Sequence, residues 1–91
     1  MTNREIDALV AERIFGWENP LSSPHLPHFS TSITDAWEVA EKIKEGGWHM
    51  VLHSSRGYIC DLSNKGTVVV GYGPSASLAI CLASLKAVSF S

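Results

Sequence analysis

Three segments decide the fold of this chain: Trp48-His49-Met50-Val51-Leu52-His53, Tyr58-Ile59-Cys60-Asp61-Leu62 and Thr67-Val68-Val69-Val70-Gly71-Tyr72. Between them lie only Ser54-Ser55-Arg56-Gly57 and Ser63-Asn64-Lys65-Gly66, two stretches of turn chemistry. Side chains alternate across a strand, so Trp48, Met50 and Leu52 share one face and His49, Val51 and His53 the other. Connections this short join antiparallel neighbours, which predicts a three-stranded meander. The third segment is apolar on both faces, and the expectation is a strand covered on both sides or placed centrally.

Helices are predicted on either side of the meander. At the start of the chain, Thr2 and Glu5 fit a capping box, Ile6, Leu9, Val10 and Ile14 recur at helical spacing, and Gly16 can close the helix with positive φ. Trp17, just past that glycine, is expected to fold back against the helix. Residues 18–31 form a loop, because Pro20, Pro24 and Pro27 exclude helix interior. Ser32-Ile33-Thr34-Asp35 then opens a second helix over about 34–45, with Ile33, Trp37, Ala40 and Ile43 as its buried stripe and Ala36 widening it. The aromatics Trp37 and Trp48 are assigned to the core.

The last helix begins after Gly73-Pro74 with Ser75 as its cap and runs to about residue 89. It is apolar or small nearly all round, unlike an amphipathic surface helix. Either it is sandwiched inside the domain or its second face meets another subunit. With so short a chain to cover it, a subunit contact is the favoured account.

Bulk properties set the class. Ninety-one residues make a single domain over 1–91, with 45% hydrophobic and 18% charged residues and a formal net charge of −2. The seven basic residues are scattered rather than clustered, which argues against general nucleic-acid binding. No apolar run is long enough for a membrane span and the first residues lack a signal-peptide pattern, so a cytoplasmic location is expected. Cys60 and Cys81 lie among apolar neighbours, which suits reduced, buried thiols.

The order of a helix ending in Gly16-Trp17, then Ser30-Thr31 leading into Ala36-Trp37-Glu38-Val39, a three-strand meander, and a Leu78-Ala79-Ile80-Cys81-Leu82-Ala83 helix resembles the phage ABA sandwich domain family. The resemblance covers nearly the whole chain, and the second and last helices are its most specific parts. It implies a small phage or prophage protein of α+β class. Its elements would follow in α-α-β-β-β-α order as a three-layer α/β/α sandwich, with helices packed on both faces of the sheet. It implies no enzymatic activity and no cofactor, and it assigns no role to the loop at 18–29.

Chemistry is sparse. Gly71-Tyr72-Gly73-Pro74-Ser75-Ala76-Ser77 leads from a strand into a helix, where free N–H groups and the helix dipole favour an anion. Its spacing is that of neither the Walker loop nor the dinucleotide fingerprint, and a tight turn with a serine cap is the favoured account of it. The Ser30–Asp35 helix start has the same two readings, with Asp35 competing against any anion. His25 and His28 flank a proline without acidic or cysteine partners. His49 and His53 lie about 13 Å apart along a strand, so no metal site is expected. His53 and Asp61 can meet across the sheet as a structural pair. No serine or cysteine sits in a nucleophile's context, and the chain is not expected to be an enzyme.

Trp17 and Tyr72 border loops and are placed to stack on a planar ligand. Arg56, in a turn, is free to reach a phosphate. The candidate ligand-binding set is therefore Trp17, His28, Ser30, Thr31, Arg56, Tyr72, Ser75 and Ser77, with an anionic, nucleotide-like small molecule as the expected ligand. The expected partner is a second copy of the chain, through helix 75–89. The functional expectation is a non-enzymatic accessory protein that sequesters a nucleotide-derived immune signal. The alternative is an adaptor that grips a host protein through its apolar C-terminal helix.

Overall fold

The computed structural model describes residues 1–89. Its sheet holds β1 (His49–Ser54), β2 (Tyr58–Asn64) and β3 (Thr67–Gly73), antiparallel and in sequence order. In register, Asp61 stands between Val51 and Val70, and Ile59 stands between His53 and Tyr72. Both turns close through left-handed residues: Arg56 at φ 53° before Gly57, and Lys65 at φ 48° before Gly66. The Lys65-Gly66 pair gives the right-handed twist that a two-residue hairpin needs.

The helices are α1 (Asn3–Phe15), α2 (Ile33–Glu45) and α3 (Ala76–Val88). Each starts where its sequence says. The Thr2 hydroxyl accepts from Glu5 N–H at 3.1 Å while the Glu5 carboxylate accepts from Thr2 N–H at 3.1 Å, a complete capping box. Ser32 and Ser75 accept from Asp35 N–H and Leu78 N–H in the same way. Gly16, at φ 76°, ends α1, and Trp17 N–H turns back to the Ala11 carbonyl.

The α+β class, the meander, the α-α-β-β-β-α order and a three-layer build are all present. The layers stack as the sheet, then α3, then α1 with α2: α3 packs on β2 and β3, and α1 and α2 pack on α3. Within one chain, then, the helices expected on both faces of the sheet lie on one. The cause is α3 itself. Because it is apolar all round, it offers α1 and α2 a second apolar surface, and they cover that surface instead of the far side of the sheet.

Three sequence expectations are corrected by this stacking. The last helix is sandwiched inside the domain, with Ala79, Ile80, Cys81, Ala83 and Ala87 fully buried, so neither a second copy nor a host protein can use it as the main contact through helix 75–89. β3 is an edge strand whose outer face is open: Val68, Val70 and Tyr72 are exposed while Val69, Gly71 and Gly73 are buried. In α2 the buried stripe is Ala36, Val39, Ala40 and Ile43, while Ile33 and Trp37 are 43% and 46% exposed. Small residues win there because Ala36 and Ala40 let α2 approach closely, whereas an indole would hold the helices apart. Trp48, by contrast, packs against the core as expected.

The loop after α1 is ordered. Pro20–Ser22 forms a 3-10 turn, and Leu26, Phe29 and Ser30 are buried. Phe29 stacks on Phe15 with ring centroids 5.3 Å apart and planes 11° from parallel, a contact that pins the loop to the end of α1.

Candidate functional site

The loop is held to α1 by a polar network that the sequence reading did not single out. Asp7 is fully buried on the stripe it shares with Val10 and Ala11. One of its carboxylate oxygens accepts from Arg4 Nη1 at 2.8 Å and the other from Ser30 N–H at 2.7 Å. Arg4 also donates to the carbonyls of Leu26 and Pro27, at 3.0 and 3.2 Å. Its Nη1 lies 3.0 Å from His28 Nδ1; since a guanidinium has no acceptor, that histidine nitrogen carries the lone pair. The Ser30 hydroxyl donates to the Asn3 carbonyl, and His28 N–H donates to Asp35 at 2.9 Å.

Two of the three candidates in this region are therefore committed to structure. Ser30 is 2% exposed, His28 is exposed but bound on both its ring and its backbone, and Thr31 is exposed. The carboxylates of Asp7 and Asp35 already occupy the place at the α1–α2 starts where an external anion would sit. The one sequence signal for the network is an acid on an apolar stripe, three residues after an arginine.

The remaining candidates divide. Trp17 is half-buried against the core and Ser77 is 4% exposed, so neither presents a free face. Ser75 spends its hydroxyl on Leu78 N–H. Arg56 and Tyr72 do come together at the end of the sheet where β3 leads into α3. The Tyr72 hydroxyl donates to the Arg56 carbonyl at 2.8 Å, which fixes the ring while leaving the residue 56% exposed. Arg56 is exposed, and among the described residues its guanidinium makes no hydrogen bond or ion pair that would hold it.

Tyr72 also belongs to the open face of the sheet. That face carries Val51 and His53 from β1, Ile59 and Asp61 from β2, and Val68, Val70 and Tyr72 from β3. His53 Nε2 lies 3.1 Å from Asp61 Oδ2, the cross-strand pair expected from sequence. Val68 is 62% exposed, unusual for an aliphatic residue beside three other exposed apolar ones on one sheet. Lys86 donates to the Val70 carbonyl at 2.6 Å and so covers an outward-pointing acceptor of the edge strand.

Thiol chemistry has no foothold. Burial pushes the Cys60 thiol up to about 11, with the Asp61 charge adding to it. Burial pushes Cys81 up to about 12, helped by the Asp7 charge and then by Cys60. Both are free and buried, and a thiol held protonated is a poor nucleophile. Among the described residues, no group of three or more His, Cys, Asp or Glu is placed to hold a metal ion. No described helix is long and apolar enough to cross a membrane.

Fold and surface together define a small α+β domain with a doubly covered central helix and an open, partly apolar sheet face. The chain belongs to the phage ABA sandwich domain family, whose model matches residues 8–85. Among solved structures it is similar to a phage protein from Bacillus cereus ATCC 14579, with 26% sequence identity and a TM-score of 0.79. That likeness spans 93% of this chain and 90% of the other. None of the curated proteins matches it.

Proposed function

We propose that the chain is a non-enzymatic accessory protein of a phage or prophage. It acts in the host cytoplasm as a homo-oligomer and sequesters a small, anionic, nucleotide-like signal of host immunity. The observation that carries the reading is the corner formed by Arg56 and Tyr72. An aromatic ring anchored through its hydroxyl gives a planar base a rigid stacking surface, and Arg56, whose backbone carbonyl accepts that hydroxyl, carries an exposed guanidinium that offers a phosphate a bidentate partner.

The corner lies on the rim of the open sheet face, which supplies the second half of the proposal. A second copy is the occupant of that face. Centring a two-fold contact on Val68 and Val70 buries two exposed aliphatic side chains of each copy and brings the polar His53–Asp61 pair, the cross-strand neighbour of Val70, alongside the contact. It also brings two Arg56–Tyr72 corners onto the rim of one interface. A domain of this size gains proportionately from such burial, because its own core is small.

Native mass spectrometry tests both halves, on the protein alone and after incubation with a panel of cyclic nucleotides and ADP-ribose derivatives. The expected result is an oligomer that gains one discrete ligand mass, which Arg56→Ala and Tyr72→Ala abolish while the fold persists. A monomer that binds nothing in the panel overturns the reading.

A further inference from the structure

A cavity of about 470 Å³ stands apart from the Arg56–Tyr72 corner. It lies between α1 and the 3-10 turn. Its floor is apolar, formed by Ala8, Leu9 and Pro20, and its rim carries Glu5, Glu12 and Leu21. The rim residues are exposed, so it is a trough and not an enclosed chamber. We propose that this trough is a docking site for a basic amphipathic helix of a partner protein.

The wall opposite α1 is a built feature. Asn19 holds the left-handed conformation at φ 49°, a position that asparagine tolerates better than most residues, and Pro20 follows at the start of the 3-10 turn. Leu21 is thereby presented to solvent at 65% exposure. An exposed leucine on a constrained turn, facing an apolar floor, makes the second side of a groove.

Charge selects the occupant. Glu5 and Glu12 are seven residues apart on α1 and so lie on one side of the helix, about 10 Å apart along its axis. Glu5 is held below the usual carboxylate range by hydrogen bonds from Thr2, so it is ionised at neutral pH. Glu12 forms no ion pair among the described residues. Arg4, the basic residue one position from Glu5, is occupied by Asp7 and the loop carbonyls, so the Met1 ammonium, which also lines the cavity and helps to hold Glu5 low, is set against two carboxylates and the rim stays net negative. A partner helix with basic residues at positions i and i+7 matches that spacing, and leucines at i+3 and i+4 fall between them, over Ala8 and Leu9.

The probe is a synthetic helical peptide with lysines at i and i+7 and leucines at i+3 and i+4, titrated into the isotopically labelled chain. The amide resonances of α1 and of residues 19–22 are expected to shift. Glu12→Lys, at an exposed position that the fold does not need, is expected to weaken binding about tenfold or more. Raising the salt concentration should weaken the wild-type complex in the same sense. Glu38→Lys, an exposed control on α2, should leave binding unchanged. The proposal is overturned if the peptide does not bind, if its shifts map to the sheet, or if Glu12→Lys binds it as tightly as wild type. Because the trough and the Arg56–Tyr72 corner share no residue, failure here leaves the ligand reading untouched, and the reverse also holds.

Discussion

The two faces of β3 are made from alternate residues of one strand, yet they obey opposite rules. On the inner face Val69, Gly71 and Gly73 lie against α3, and Gly71 is there because nothing larger fits. A Cβ at that position would overlap the backbone nitrogen of Ala83 and the backbone carbonyl of Ala79. On the outer face Val68, Val70 and Tyr72 are large, and they are exposed. A strand that served only its own domain would carry polar residues on that second face. The inner face is thus shaped by contact within the chain, and the outer face is the one that the proposed second copy would cover.

The inner rule breaks first. Gly71→Ala sets a side chain against backbone that cannot rotate away, so the helix must lift from the sheet. We expect a loss of about 3 kcal/mol or more, measured by chemical denaturation. The same glycine in an ordinary open strand would gain from alanine. A neutral or stabilising result would show that α3 has room to slide, and the contrast between the faces would lose its basis.

Cys60 on the inner face of the sheet and Cys81 in α3 behind it sharpen the comparison through pH. Cys60 and Cys81 titrate at about 11 and about 12 in the folded chain because burial disfavours the thiolate. In the unfolded chain they ionise near 9. Below that value both states hold the proton and the contribution of the thiols to stability is complete. Above it the unfolded state binds fewer protons than the folded one, so stability falls as pH rises through the folded values. The slope is up to about 1.4 kcal/mol per pH unit for each thiol. Between pH 9 and 11 the double variant Cys60→Ala, Cys81→Ala should show a shallower decline than wild type. Equal slopes would mean that the interior admits water at the helix–sheet seam.

Much of this arrangement was legible because it is local. The Thr2–Glu5 box, the serine caps of α2 and α3, the Gly16 stop and both hairpin turns are each written within a few residues, and each sits where the pattern puts it. What was not legible depends on which surfaces meet. Trp37 and Ala36 adjoin on α2, and no spacing rule says that the small one faces inward; that follows from how closely the helices approach. The apolar character of α3 was plain, but whether α1 and α2 or a second copy covers its far side is a question about the whole chain. The candidate site shows the same divide. Arg56 and Tyr72 are legible one by one, as a turn arginine and a loop-bordering aromatic, but their meeting is a matter of strand register, and Ser30 and Ser77 are lost to burial that no hydroxyl advertises. Asp7 was missed because an acid on an apolar stripe makes sense only once Arg4 and the returning loop are in place.

The outer face gives the smallest effect on stability and the sharpest one on assembly. Val68→Lys with Val70→Lys places charge on exposed positions, so the fold of the single chain should change by less than about 1 kcal/mol, mostly through lost strand preference. If a second copy covers this face, the same pair of substitutions puts four lysines into one interface and should leave only monomer in sedimentation velocity, at concentrations where wild type is associated. The two measurements read different things. A large loss of stability in the monomer would mean that Val68 and Val70 are bound into the domain after all, which would erase the difference between the faces. An assembly that survives both lysines would place the contact elsewhere and leave the open face to a different partner. Only intact folding together with lost association fits a strand that spends one side on its own helix and the other on its neighbour.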